Sequence, residues 1–590
     1  MDRKSIVVVS ISILLFVLWA QLMPRLYPPK PLPPRTNTLA ETTNRTERAP
    51  SAPPALSRTA VPQAVAALIP EELLVISNNN ARYTFTSHGG GLKLAELIHY
   101  PETVDCRAKN KSTNLATLNT SAPLPVLGLL GGEAIQGDGV FKLSPIPSGV
   151  RAEKVLSNGL YLVKDFRLSS NYLVSATVRL ENQTAQPLAL PGQEWIAGTA
   201  TPMDALDSEQ FLGVFHYDGK SEHHVDQAWF DNKFMGCFPG TPRTQYLAGV
   251  NDVIWVTVHN QFFTLALIPK EAGSAISAYA IDLPPPSREQ IKANPTAVAK
   301  PFGLQASLQY PAITLGPKQT VEKQFQIFAG PKEYQTLVTI GAQLNNHLDL
   351  VMGYSGFFGW FAQVLLWSMN GLHQLGLSYA LAIIAITVII KMLFWPLTQA
   401  STRSMKRMAA LQPQMTALKE RYKDDATKMN RKLMEFMKEN KVSPLGGCLP
   451  MLLQIPVFFG FYRMIQSAIE LRGAEFLWAC DLSKPDTIFV IPGMDFPVNP
   501  LPLVMWATML WQARLTPPSP GMDPMQQKIM KYMPLMFLVI LYKFSAGLTL
   551  YWTVQNLLTI AQMKLTKSKD GPAPAPGQAL ALSGPPKKKK

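Results

Sequence analysis

The sequence predicts a polytopic α-helical membrane protein with an all-β domain held outside the cytoplasm. Three observations predict it. Apolar residues make up 47% of the 590 positions and crowd into the first 22 residues and again after about Gly353. Between those regions hydrophobicity alternates with period two, the mark of half-buried strands. Lysine and arginine gather beside some apolar runs and avoid others, as the positive-inside rule requires of a membrane protein. The net charge of +15 favours anionic lipid or nucleic acid as a partner.

The chain opens Met1-Asp2-Arg3-Lys4, then runs apolar from Ile6 to Leu22, broken only by Ser10, Ser12 and Gln21. A cleaved signal peptide is the alternative, but no A-x-A-like site follows, and Trp19 and Tyr27 stand where interfacial anchors belong, so residues 1–23 read as a retained transmembrane anchor. Residues 24–70 read as an extended extracytoplasmic linker, with ten prolines between positions 24 and 66.

Residues 71–335 read as an antiparallel β-sandwich. Tyr83–Thr86 and Tyr172–Leu180 alternate, and Ile254–Ile268 and Val321–Phe328 read as further strands. Glu222-His223-His224-x-Asp226 offers metal-ligand types, but adjacent histidines point apart on a strand and no H-x-x-x-H spacing occurs, so a solvated loop is expected. Gly213-x5-Gly219-Lys220-Ser221 has one residue too many for a phosphate loop. The four cysteines, Cys106, Cys237, Cys448 and Cys480, form no CxxC pair, which excludes the usual zinc and redox motifs. Cys106 and Cys237 fall in one predicted domain and are candidates to pair, although nothing in the spacing demands it.

Residues 354–376 form an amphipathic stretch rich in Trp and Phe, suited to a helix lying on the membrane surface. Five spans follow within 378–565, near Ser378–Leu397, Leu449–Ile469, Leu501–Leu515, Ile529–Phe544 and Leu548–Met563. The last three are short, since fifteen or sixteen helical residues reach only ~22–24 Å against a hydrocarbon core of ~30 Å. Either their helices outrun their apolar parts or the bilayer thins around them.

Charge orients these six spans. The segment 401–443 carries eleven Lys/Arg against five Asp/Glu, whereas Glu470–Asn499 carries two against five. Both termini and the 401–443 segment are therefore expected in the cytoplasm. Within that segment Met405, Met408, Leu411, Met415, Leu418 and Tyr422 recur at helical spacing, as do Met429, Leu433, Phe436 and Met437. Two amphipathic helices meeting at Lys423-Asp424-Asp425 are expected, with the methionines forming their seam or an adaptable surface for partners. Met405, Met408, Met415, Lys419 and Arg421 are the candidate cytoplasmic contacts. Pro444 ends the second helix and Gly446-Gly447 re-aims the chain. Residues 566–590, ending in Lys587–Lys590, read as a basic cytoplasmic tail.

Inside the spans the informative residue is Lys391, because an intramembrane ammonium costs on the order of 2.5–3.5 kcal/mol on insertion scales and so faces protein or water. Snorkelling to the headgroups is the alternative. Thr387 lies one turn away on the same face, and Gln454 on the next span sits at similar depth. Together they suggest a polar pocket open to the cytoplasm. No Asp or Glu lies in any span, which argues against the alternative of an ion-coupled secondary transporter. A lipid-anchored carbohydrate-binding protein is a third reading, suggested by the sandwich alone. Arg463 lies nearer the outer end and reads as an interfacial anchor.

Several ordered motifs give the chain a family resemblance. Pro396-Leu397-Thr398 ends the second span. Leu411-Gln412-Pro413 opens the cytoplasmic hairpin. Asn440-Lys441-Val442-Ser443-Pro444-Leu445-Gly446-Gly447-Cys448-Leu449-Pro450 leads into Gln454-Ile455-Pro456. Asp523-Pro524-Met525-Gln526-Gln527-Lys528-Ile529-Met530 precedes the fifth span, and Ser545-Ala546-Gly547-Leu548-x-Leu550-Tyr551 opens the sixth. In these residues the chain resembles the YidC membrane insertases, relatives of the mitochondrial Oxa and chloroplast Alb proteins.

The resemblance implies a five-helix core around a hydrophilic groove, an added N-terminal span and a periplasmic β-supersandwich, in the bacterial inner membrane. It implies a chaperone that inserts membrane proteins, works without cofactor or metal and makes no bond. Implied partners are nascent membrane proteins, the lipid bilayer, the Sec translocon, and ribosome or signal recognition components. The family's groove carries one positive residue, usually arginine, on the second span, and the matching position here is Lys391. The groove tyrosine of the third span matches Tyr462, while the next position, often tyrosine in relatives, is Arg463.

Overall fold

The structure is a computed structural model that describes residues 69–104, 106, 114–203, 207, 209–232, 241–285, 301–440, 449–491, 496–515 and 524–566. The expected N-terminal anchor, nearly all of the linker, Cys237, Cys448, the Gly446-Gly447 turn and the lysines of the tail lie outside the described residues.

Alternating hydrophobicity builds the β domain. Leu173–Asn182 buries every second side chain, and Phe263–Pro269, covered on both faces, is buried throughout. A nine-stranded antiparallel sheet runs in the order Glu222–Asp226, Gly213–Tyr217, Trp255–His259, Phe263–Pro269, Thr320–Pro331, Leu173–Asn182, Leu160–Leu168, Gly149–Val155, Lys142–Ile146. A five-stranded sheet runs Gln245–Ala248, Ala275–Asp282, Phe302–Tyr310, Gln193–Ala200, Leu129–Leu130, and packs against it through Trp195 and Phe325. Four more strands, Leu73–Ser77, Ala81–Thr86, Gly91–Pro101 and Leu115–Leu118, form a meander beside them. Trp195, Trp255, Phe166 and Phe328 are fully enclosed between these layers.

The expected strand Ile254–Ile268 is in fact two. Asn260 accepts hydrogen bonds from the backbone N–H groups of Phe262 and Phe263 at 3.2 and 2.9 Å, an Asx turn that reverses the chain. The adjacent histidines part as strand geometry requires. His223 turns to Asp218, with Nε2 3.2 Å from Oδ2, and His224 to His259, with Nε2–Nε2 at 3.3 Å. They stand on a strand rather than the expected loop.

After a short helix, Tyr334–Leu344, the chain becomes helical: α1 Gly356–Gln374, α2 Tyr379–Leu393, α3 Trp395–Ala410, α4 Gln412–Arg421, α5 Ala426–Glu439, α6 Leu449–Ser467, α7 Pro500–Leu515, α8 Pro524–Leu541 and α9 Ala546–Leu565. Among the described residues no single helix is both long and apolar enough to cross a membrane, and only the pair Tyr379–Leu393 with Trp395–Met408, bent by 62°, meets that test. The expected span Ser378–Leu397 is thus shared by two helices, and it starts at Ser378, whose hydroxyl accepts from the Leu381 N–H. Helices α8 and α9, 18 and 20 residues long, outrun their apolar parts.

α1 lies along α6 so closely that a Cβ on Gly460 would meet Phe361 Cβ at 2.8 Å. α9 packs between α7 and α2, and its first turn meets the loop after α6, where the Ala546 and Gly547 N–H groups donate to Lys484 O and Leu482 O at 2.7 and 2.8 Å.

Candidate functional site

The polar chain at the centre of the helices starts at Lys391. It sits in the last turn of α2, where a cation complements the helix dipole. The side chain is buried, and its Nζ donates to Thr559 Oγ1 on α9 at 2.8 Å. Thr559 Oγ1 in turn donates to Gln555 O at 2.7 Å. The Gln555 amide donates to Gln454 Oε1 on α6 at 2.8 Å, and Gln454 Nε2 donates to the Tyr551 hydroxyl. Tyr551, Gln555 and Thr559 recur every four residues, so one face of α9 joins α2 to α6. None of α2, α6, α7, α8 and α9 contains Asp or Glu, so no carboxylate of these helices balances the ammonium.

α9 makes further polar joints. Asn556 Nδ2 donates to Thr508 Oγ1 on α7 at 3.1 Å. Gln562 Nε2 donates to Thr398 Oγ1 on α3 at 2.7 Å. Lys406 Nζ donates to the carbonyls of Met563 and Thr566 at 3.0 and 2.6 Å, satisfying the open C-terminal end of α9.

Of the four expected groove residues, the structure joins Lys391 and Gln454 through α9. Thr387 is buried on the Lys391 face but donates to Ile383 O of its own helix at 2.7 Å. The structure places Tyr462 elsewhere on α6. It stands apart, half-buried and stacked on Phe458 with its ring 5.8 Å from that of Phe544, because it lies two turns beyond Gln454 toward the C-terminal end of α6. The tyrosine that meets Gln454 is Tyr551. Sequence reasoning missed Tyr551, Gln555, Asn556, Thr559 and Gln562. The signal was present in the polar positions Thr549, Thr553, Asn556, Thr559, Gln562 and Thr566, spaced by threes and fours along an otherwise apolar helix.

The segment expected in the cytoplasm has three helices rather than two among its described residues. Leu411 breaks the first arm, and Pro413 restarts it as α4, where a missing N–H is harmless in the first turn. Asp425 caps α5, accepting from the Lys428 N–H at 2.9 Å. Met408 and Met415 are buried against Leu433 and Met437 and form the seam, the first of the two roles expected of the methionines. Met405 lies within α3, Lys419 is half-buried and Arg421 exposed, and Met434 is the methionine left on the surface of α5.

The loop after α6 is tied to the β domain. Cys106 bonds to Cys480 in the loop after α6, so the Cys106–Cys237 pairing that the sequence left open does not form. Arg472 donates to Pro101 O and Glu102 O at 2.7 and 2.9 Å, and Lys484 pairs with Asp207 at 3.1 Å. Arg463 donates to Gly353 O and Ser355 O at 3.3 and 3.1 Å, which fixes the start of α1.

Comparison with known proteins places these features. The family described as YidC periplasmic domain matches residues 73–368, and the family described as 60Kd inner membrane protein matches residues 371–571. A Membrane protein insertase YidC from Cupriavidus necator is 33% identical over 85% of this chain and 84% of its own length. One from Pelobacter propionicus is 46% identical over 44% of this chain and 47% of its own. A crystal structure of an active YidC insertase with its first transmembrane domain resolved is 18% identical, with a TM-score of 0.33 over 85% of this chain and 94% of that one. On the two family matches and the near full-length relative, this chain belongs to the YidC family of inner-membrane protein insertases.

Proposed function

We propose that the polar face of α9, with Lys391 and Gln454 on either side of it, is the groove through which this insertase draws the polar tail of a client while the client's apolar segment enters lipid. The observation that carries the reading is the buried Lys391 ammonium, turned into the bundle onto Thr559 with no carboxylate on the surrounding helices. A charge so placed attracts an acidic tail. Hydroxyls and amides replace the water that the tail sheds, and no bond is made or broken. Holding must stay weak, since a groove that bound its client tightly would not release it.

The same reading places α2, α6, α7, α8 and α9 as five spans, with an N-terminal sixth, the sandwich and the loop after α6 outside, and the hairpin α3–α5 and both termini in the cytoplasm. Charge distribution supports that orientation. The Cys106–Cys480 bond supports it independently, because disulfides persist on the oxidising side. The hairpin then faces ribosome, signal recognition components or the Sec translocon through Lys419, Arg421 and Met434.

Photocrosslinking tests the groove. A crosslinker at Gln454 or Gln555 is expected to capture the polar tail of a stalled client, and one at Ile389, which is exposed on α2, to capture lipid or the apolar segment. Equal capture of the tail from all three positions would rule out a groove at this face.

A further inference from the structure

The loop between α6 and α7 carries a small antiparallel hairpin, Phe489–Ile491 paired with Phe496–Val498, that the insertase mechanism above does not use. Its described residues from Thr487 to Ile491 and from Phe496 to Asn499 include no charge. Phe489 is 55% exposed, Val490 and Phe496 45% each, and Ile488 is also exposed. A soluble loop seldom displays such a cluster without something to cover it.

The hairpin cannot fold its apolar face away, because both its ends are fixed to the helices. The Tyr542 hydroxyl donates to Pro497 O and the Asn499 amide donates to Tyr542 O, each at 2.8 Å, and the Tyr542 ring stacks on Phe496 with centroids 5.1 Å apart. On the other side Asp486 accepts from the Leu501 N–H at 2.6 Å and from the Trp478 indole at 2.8 Å. Two residues after Val498, α7 begins, and its exposed Leu503 and Val504 continue the same apolar surface toward the membrane interior.

We infer that this hairpin lies in the outer-leaflet interface of the bilayer as an apolar wedge whose Phe489, Val490 and Phe496 contact lipid. The inference rests on the proposal that α7 is a span. Continuity with α7 favours lipid over a protein partner, and the sequence from Thr487 to Asn499 holds no lysine or arginine, so the contact does not depend on anionic headgroups. Its paired backbone satisfies the inner polar groups, while the open edges stay within reach of interfacial water, so the wedge lies shallow. Trp478 and Tyr542, with apolar rings and polar tips, suit the same depth.

The test uses the full chain with Cys237→Ser and Cys448→Ser, which leaves Cys106 and Cys480 bonded. Nitroxide labels are placed at Phe489→Cys and, separately, at Val490→Cys, in vesicles of phosphatidylethanolamine and phosphatidylglycerol and again of phosphatidylcholine alone. Leu503→Cys on α7 and Val155→Cys on the sandwich serve as lipid and water references. Both hairpin labels are expected to collide with oxygen several-fold more than the Val155 label does and with a water-soluble nickel chelate several-fold less, at a depth shallower than Leu503, in both lipid mixtures. Chelate access equal to that at Val155 overturns the inference, as does protection from both reagents, which would mean a protein cover. A Leu503 label that itself reads as water-exposed overturns the span as well, so the two failures are distinguishable.

Discussion

At the scale of single residues, the proposed groove rests on the charge of Lys391. A unit pair at ~4 Å is worth ~1 kcal/mol in water and ~4 kcal/mol at an effective dielectric near 20, and a partly wet groove lies between. Lys391→Arg is therefore expected to keep insertion of acidic-tailed clients. Lys391→Ala should lower it about tenfold and Lys391→Glu further, while neutral-tailed clients change less than twofold. Matched clients in reconstituted vesicles measure this, and equal losses for both tails would sink charge capture. Lys391 was legible in the sequence because an ammonium in an apolar run demands a partner. Thr559, Gln555 and Tyr551 were not, because a hydroxyl or amide in a helix is common and its partner is set by packing. In the β domain, His216 is buried against the ring of His223, and burial pushes its pKa down to about 4. The unfolded chain then binds the extra proton between about pH 6.5 and 4, so stability is lost as pH falls through that window, by roughly 3 kcal/mol at ~1.4 kcal/mol per unit. Hydrogen exchange in Gly213–Tyr217 should accelerate across this range, and His216→Phe should flatten that part of the response.

At the scale of elements, the hairpin α3–α5 stands on four side chains, Met408, Met415, Leu433 and Met437. Met415→Asp places a carboxylate in that seam and is expected to unfold the hairpin, measured as faster proteolysis near Lys423, whereas Met434→Asp on the surface should leave it folded. If both variants resist protease equally, the seam does not hold the hairpin. The three-residue and four-residue spacing announced both arms of this hairpin. It did not announce the break at Leu411, because proline in a first helical turn looks the same whether it begins a helix or continues an arm. Helix α6 meets α1 at Gly460, and Gly460→Val, which puts two methyl-bearing branches against Phe361, should separate the pair and cost 1–3 kcal/mol, on the order of other overpacked sites. Disulfide trapping between cysteines introduced at Phe361 and Val457 would report the separation. Strands were read correctly by alternation, except at Asn260, where a turn built by one side chain interrupts a run that is apolar on both sides.

At the scale of the molecule, the sandwich is joined to the helices at few points, and the polar chain through α9 lies wholly outside it. Deletion of residues 73–330 combined with Cys480→Ser is expected to retain basic insertion activity, whereas removal of α1 is expected to abolish it, because α1 packs along α6 and Arg463 holds its start. Insertion assays on membranes of equal protein content compare the two, and complete loss with the sandwich deletion in well-folded protein would refute this division. The two-part design was legible from composition, since apolar runs and alternating strands occupy separate stretches of the chain. The joint between the parts was not. A pairing of Cys106 with Cys480, 374 positions apart, leaves no trace in local spacing, and only the fold brings the loop after α6 over the edge of the sandwich.

That bond makes most of the chain a closed ring. Everything from residue 106 to residue 480, including the greater part of the sandwich, α1, the hairpin α3–α5 and α6, lies inside one covalent circuit. A single cut anywhere on the ring opens it without dividing the protein. A nick beside Lys423 in the hairpin should therefore leave one species on a gel run without reductant and two once thiol is added, and the same nick in Cys480→Ser should give two species under either condition.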